Sequence, residues 1–254
     1  MRNGSGPRLY VEEELGIGRE VTLSADQAHY VRNVMRLSDG DEIALFNGHD
    51  GEWTGRLVSL GRKKARVSLE RESRRQRAEP DIRLLFAPVK RAPLDFMVQK
   101  SVELGVSRLC PVLTERTDVS RVNLARMRST VIEAAEQCRR LTLPHIAEPA
   151  SLTKTLTGWP ADRPLLVCAE IGPIRPIVKV LADFKGAARG TISGMAILVG
   201  PEGGFTTSEL DGLRKLPFVT ATGLGPRILR AETAAVAALA CWQSTLGDWQ
   251  SDRN

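Results

Sequence analysis

The chain has 254 residues, 42% hydrophobic and 26% charged, a balance that supports a packed core and excludes a disordered or fibrous protein. It contains no run of eighteen apolar residues, and its opening stretch MRNGSGPRLYVEEELG has no apolar segment, so neither a membrane span nor a secretory signal is expected. The formal net charge of +6 favours a polyanionic partner.

Four cysteines, Cys110, Cys138, Cys168 and Cys241, lie far apart among apolar neighbours with no C-x-x-C. Free thiols in a cytoplasmic protein are expected, not disulfides. The three histidines lack ligand spacing, so no metal is expected.

Along the first part of the chain, REVTLS, DEIALFNG, GEWTGRLVSLG and KARVSLERE are short runs of β-formers parted by Gly and Asp turns. Between the first two, Ala28, Val31, Val34 and Met35 have the spacing of a short amphipathic helix. A small β-barrel with one inserted helix is expected. From Arg62 to Arg77 the chain carries eight basic and two acidic residues, which read either as a solvated strand edge or as an RNA-facing surface.

Beyond this basic run the rhythm becomes strand then helix. DIRLLFAP, SRLCPVLTE, PLLVCAE, MAILVG and PFVTATG read as strands. LDFMVQKSVELG, NLARMRSTVIEAAEQCRRL, RPIVKVLADFKG, TSELDGLRKL and ETAAVAALACWQSTLG read as helices, the second with Met127, Val131, Ala135 and Cys138 on one stripe. Such alternation predicts an α/β domain with a mostly parallel sheet covered on both faces. The expected division is 1–76 and 77–254.

Two strand ends carry the chemistry. ILVGPEGGFTTSEL runs from a buried strand into Gly200, Pro201, Gly203 and Gly204, then into the Thr206 and Glu209 spacing of a capping box. GLGPRILRAETA repeats the scheme of strand, Gly-Pro loop and helix. In open α/β sheets ligands bind at the carboxyl ends of strands, and glycine lets them approach bare backbone. Neither loop is a phosphate-binding G-x-x-x-x-G-K-[ST] or an early G-x-G-x-x-G, and a proline in each stiffens it.

LVGPEGGFTTSE followed by LGPRILRAETA resembles the signature of the RsmE family. The likeness extends over nearly the whole chain through PRLY, HYVRNVMRLSDGDEIALFNG, KSVELGVSRLCPVLTER and EAAEQCRRLTLPHI. That family consists of S-adenosylmethionine-dependent methyltransferases of the SPOUT superfamily that methylate N3 of uridine in small-subunit ribosomal RNA. The resemblance implies a C-terminal SPOUT α/β domain with a deep trefoil knot, an N-terminal PUA-like β-barrel that binds RNA, and a homodimer. No membrane partner is expected, and because RNA-binding proteins read splayed strands and tertiary shape, a substrate within the assembled or assembling small subunit is expected, with free RNA left open as the alternative. Arg139 departs from it, standing where many members carry a small residue.

By the same resemblance the cofactor is lined by Leu198, Val199, Gly200, Pro201, Glu202, Gly203 and Gly204. It is also lined by Gly223, Leu224, Gly225, Pro226, Ile228 and Leu229. Leucine and isoleucine supply faces for adenine while glycines bare the backbone. Glu202 either meets loop amides or the sulfonium charge, or only braces its loop. Arg230 and Glu232 are the candidate catalytic pair. A guanidinium stabilises charge on the uracil oxygens once N3 loses its proton, and a carboxylate takes that proton or orients the arginine; alternatively the two fasten the loop.

Arg8, His29, Arg32 and Arg36 are candidates for RNA contact, with Arg32 and Arg36 expected on one helical face. Lys90, Lys100, Gln137 and Arg140 fall in family motifs and are further RNA candidates, although Lys100 and Glu103 have the spacing of a pair. The alanines of the last helix, Ala234, Ala235, Ala237, Ala238 and Ala240, suit close helix packing within the subunit or across a dimer. Two alternatives stand beside this reading: a SPOUT enzyme acting on transfer RNA or a ribose 2′-hydroxyl, and a non-catalytic RNA-binding assembly protein.

Overall fold

In the computed structural model, residues 6–61, 64–119, 121–172, 174–187 and 194–250 are described; Arg62 and Lys63 of the basic run lie outside them. The chain divides into two units, Met1–Ala78 with Ala135–Leu143, and Glu79–Ala134 with Pro144–Asn254. The segment 135–143, assigned by the sequence division to the second domain, is thus counted with the first unit.

The first unit holds β1 (Arg8–Tyr10), β2 (Glu20–Leu23), α1 (Ala25–His29), a π-helical turn (Tyr30–Val34), β3 (Glu42–Phe46), β4 (Glu52–Leu60) and β5 (Ala65–Arg74). The strands form one sheet in the order β1-β3-β4-β5-β2, antiparallel except for β1 beside β3. Alternation builds the core. Val21 and Leu23, Ile43 and Leu45, and Ala65, Val67 and Leu69 cluster with Leu9, Leu57, Ala28 and Val31. Burying each Val or Leu contributes about 1.5–3 kcal/mol.

Ser24 caps α1 in a capping box with Gln27, but the helix widens at once, Met35 N–H donating to Tyr30 O at 3.0 Å. The wider turn moves Val34 and Met35 off the stripe begun by Ala28 and Val31. Both are exposed, Val34 to 60%. Arg36 follows the turn in the left-handed region at φ +56, so it does not share an α-helical face with Arg32 as the spacing predicts.

The second unit continues with β6 (Ile82–Phe86), α2 (Arg91–Glu103), β7 (Arg108–Leu113) and α3 (Leu124–Cys138), whose last turn belongs to the first unit. Then come β8 (His145–Ile146), β9 (Ala150–Ser151), α4 (Leu152–Leu156), β10 (Leu165–Cys168), β11 (Arg175–Pro176) and α5 (Ile177–Ala187). The chain closes with β12 (Met195–Val199), α6 (Thr207–Arg214), β13 (Val219–Gly223), α7 (Ala231–Thr245) and a short 3-10 turn (Asp248–Gln250).

The sheet order is β11-β13-β10-β12-β6-β7-β8, with β9 beside β7, and every pairing is parallel. Leu165, Val167, Ala196 and Leu198 pack with Leu152 of α4 and with Leu210 and Leu213 of α6. The intervening Leu84, Leu166 and Ile197, also fully buried, point to the opposite face, where α7 packs on β12 beside α2 and α5. The paired strands β10 and β12 read as continuous apolar runs because both faces are covered. Among the described residues, no helix is long and apolar enough to cross a membrane.

Candidate active site

The strand order explains the site. β10 lies between β12 and β13, so the loops leaving the carboxyl ends of these three parallel strands converge. They enclose a cavity of about 340 Å³ within the second unit, inside the roughly 300–1,000 Å³ of cofactor sites. Val199 to Gly204 form one wall and Leu224 to Arg230 another, so both glycine loops predicted from sequence face the same space, with Pro201 and Pro226 on its walls.

Local geometry accounts for the residue types. A Cβ on Gly200 would lie 2.9 Å from the buried Phe205 ring, so any larger residue there forces that ring to shift. Gly225 sits at φ +109, which other L-residues avoid. The first loop ends in a capping box: Glu209 N–H donates to Thr206 Oγ1 at 3.2 Å, and Thr206 N–H to Glu209 Oε2 at 2.9 Å. The other oxygen of Glu209 accepts from Glu115 N–H at 2.9 Å.

Three loops, not two, build the cavity. Cys168, Ala169, Glu170, Ile171 and Ile174 supply the third wall, after β10. The sequence reading missed it, although Gly172-Pro173 after a strand repeats the Gly-Pro of the other two loops. Arg116, after β7, was also missed. Its guanidinium donates to Gly203 O at 2.8 Å and lines the cavity. Arg227 joins the lining as a further cation. Burial pushes the Cys168 thiol up to about 12, so it stays protonated at neutral pH; all four cysteines are free.

Most expected cofactor residues line the cavity; Leu198 and Gly223 do not, nor does Glu232 of the expected catalytic pair. Leu198 is fully buried in the sheet core, since its alternate position on β12 turns it under α6. Arg230 is the N-cap of α7, with its exposed side chain on the cavity, while Glu232 lies in the first turn of that helix.

The mouth therefore carries three arginines, Arg116, Arg227 and Arg230, and two carboxylates, Glu170 and Glu202. Ile171 and Ile228 are 72% and 82% exposed there. Large apolar side chains left bare on a concave wall fit a ligand with a flat apolar face, and the opposed charges fit a polar tail.

The RNA candidates separate. His29, Arg32 and Arg36 are exposed on the first unit, with His29 Nδ1 2.8 Å from the Asn33 side-chain nitrogen. Arg8 is not available for RNA. Its side chain is only 9% exposed, pairing with Glu52 at 2.5 Å, donating to Ala135 O at 2.6 Å and to Arg140 O at 2.5 Å, and lying over the Phe46 ring. Burial pulls its pKa down from the usual arginine value, against the pull of Glu52. Arg140 is buried and donates through Nε to Thr142 Oγ1 at 3.1 Å, while Gln137 is exposed. Lys90 is exposed at the start of α2, and Lys100 pairs with Glu103 at 2.8 Å, as their spacing suggested. Among the described residues there is no cluster of three metal-ligating side chains.

Known proteins agree with this architecture. Residues 76–243 match the RNA methyltransferase domain family and residues 23–70 the RNA methyltransferase PUA domain family. The ribosomal RNA small subunit methyltransferase E of Rickettsia conorii is 32% identical, over 92% of this chain and 93% of its own. The crystal structure of the same-named enzyme from Neisseria gonorrhoeae, bound to S-adenosylmethionine, is 31% identical with a TM-score of 0.84, over 96% of this chain and 100% of that one. A Legionella pneumophila protein solved with bound S-adenosylmethionine is 27% identical with a TM-score of 0.81, over 95% and 98% of the two chains. The chain, with its PUA unit, its parallel-sheet unit and a cavity at the sheet's carboxyl edge, belongs to the ribosomal RNA small subunit methyltransferase E family.

Proposed function

We propose that the protein methylates N3 of a uridine in small-subunit ribosomal RNA, with S-adenosylmethionine held in the three-loop cavity. The observation that carries the reading is the convergence of the loops after β10, β12 and β13 on one cavity, bearing bare isoleucines and opposed charges. Ile171, Ile174, Leu224, Ile228 and Leu229 suit an adenine ring, the glycine loops offer backbone to its edge, and Glu170 and Glu202 suit a cationic centre. The cofactor, when bound, supplies an activated methyl group.

The chain's own part is alignment and electrostatics. Arg230 stabilises the charge that builds on the uracil oxygens as N3 gives up its proton. The α7 amino terminus, with Ala231 on the cavity, adds partial positive charge to the same end. Glu232 is the candidate to orient Arg230 or to receive the proton. His29, Arg32 and Arg36 are the candidates to hold RNA phosphates on the PUA unit, and Lys90, Lys100 and Gln137 remain secondary candidates. The reading includes the family's trefoil knot around the C-terminal loops, a homodimer, and action in the cytoplasm on the assembled or assembling small subunit.

Mass spectrometry of ribosomal RNA from a deletion strain is the test. N3-methyluridine should vanish and return with the wild-type gene. Arg230→Ala should bind S-adenosylmethionine with unchanged affinity yet fail to restore the modification. Retention of the modified nucleoside in the deletion strain refutes the reading, and equal loss of affinity and turnover makes Arg230 structural.

A further inference from the structure

Arg214 stands at the last position of α6 and is not among the cavity-lining residues. Its guanidinium nonetheless reaches the third wall: one terminal nitrogen donates to Ile171 O at 2.7 Å, and the other sits 3.3 Å from Asp211 Oδ1. Gly172 follows at φ +98, and a Cβ there would lie only 2.1 Å from that donating nitrogen. The guanidinium thus rests directly on a glycine backbone, a fit that any side chain at 172 destroys. Its Nε is buried without a hydrogen-bond partner among the described residues.

The other end of α6 is also tied down. Glu209 closes the glycine loop's capping box and accepts from Glu115 N–H, and Leu210 and Leu213 sit in the core beneath. One short helix therefore joins the loop after β7, the loop after β12 and the loop after β10. The loop after β7 is held from α6 through Glu209, and the loop after β10 through Arg214. Ile171 on that loop is 72% exposed.

We propose that Arg214 is a positioning residue of the cofactor cavity, acting through the Ile171 carbonyl to hold the loop after β10 as its third wall. This rests on the reading of the cavity as the S-adenosylmethionine site. Without the tether the wall samples other arrangements, and the apparent affinity falls by the fraction of time it is correctly placed. A wall in place about one tenth of the time raises the dissociation constant about tenfold.

The test titrates S-adenosylmethionine into the full-length protein by calorimetry and follows amide exchange. Arg214→Ala should raise the dissociation constant about tenfold, speed exchange in the free protein at Ala169, whose N–H donates to Thr222 O at 3.0 Å at the root of the loop, and leave exchange in the sheet strands unchanged. Arg214→Lys, able to donate one hydrogen bond to the same carbonyl, should recover part of the affinity. Gly172→Ala, which displaces the guanidinium, should reproduce the loss with Arg214 intact. The proposal is overturned if Arg214→Ala binds within twofold of wild type. It is equally overturned if the exchange increase spreads through the sheet, or if lysine recovers nothing. Failure of the wild-type protein to bind S-adenosylmethionine sinks the assignment of the cavity instead, while loop exchange in Arg214→Ala still reports on the tether.

Discussion

Arg8 shows how far a surface-looking residue can be from the surface. Its guanidinium spends its donors on Glu52 and on carbonyls more than a hundred residues away in sequence, at Ala135 and Arg140. A lysine ammonium is a point donor and cannot reproduce that fork. Arg8→Lys should lower the unfolding free energy by about 2–4 kcal/mol, toward the 3–5 kcal/mol seen when a buried ion pair loses a partner, measurable in urea titrations.

Asp81 gives a sharper test because it predicts a direction with pH. Burial pushes its carboxyl up, but the Ser107 hydroxyl at 2.6 Å and Arg163 at 2.5 Å outweigh this and hold it below the usual carboxylate range. A carboxylate depressed in the folded state stabilises the protein above its unfolded pKa of about 4, and loses that contribution as pH falls through the lower folded value. Asp81→Asn should therefore be less stable than wild type at pH 7, because it leaves Arg163, 6% exposed, without its charge partner. The stability difference should shrink steadily below pH 4; a difference constant down to pH 2 contradicts the assignment.

Elements were legible where periodicity alone decides them. The strands β2 to β7, β10, β12 and β13 and the helices α2, α3, α5, α6 and α7 fall where alternation and 3.6-residue spacing placed them. Two-residue strands such as β8, β9 and β11 carry too few side chains to show a period. The turn after α1 defeated the helical pattern because a π-turn changes the period itself. The third cavity wall escaped for a different reason: that β10 lies between β12 and β13 is a fact of long-range pairing, absent from any local pattern. The end of α3 joins both kinds of information. Arg139, the sequence's one noted departure from its family, adopts φ +62 just past Cys138, a conformation that favours glycine at a helix end. Its carbonyl accepts from Arg74 at 2.7 Å, so the backbone holds this shape whatever the side chain. Arg139→Gly should raise stability by about 1 kcal/mol, seen as a higher thermal midpoint. No change would mean that the arginine side chain offsets the strain.

At the scale of the whole molecule, the residues proposed to meet RNA phosphates and those proposed to meet the cofactor belong to different compact units. Arg32 and Arg36 stand exposed on the first, and the three-loop cavity lies within the second. Groups with no shared partners contribute nearly additively, so the two binding events should be separable by mutation. Each phosphate contact contributes about 0.7–0.9 to the slope of log affinity against log salt. Replacing Arg32 and Arg36 by alanine should therefore flatten the slope for small-subunit RNA by about 1.5 and leave the S-adenosylmethionine dissociation constant unchanged. Arg214→Ala should do the reverse, weakening the cofactor and sparing the salt slope. The triple variant should show both effects at the size of the separate ones. A cofactor affinity that falls with Arg32 and Arg36 would mean that the first unit helps to shape the cavity. An unchanged salt slope would instead move the phosphate contacts to other residues, with the arginines at the cavity mouth, Arg116 and Arg227, the next to be replaced.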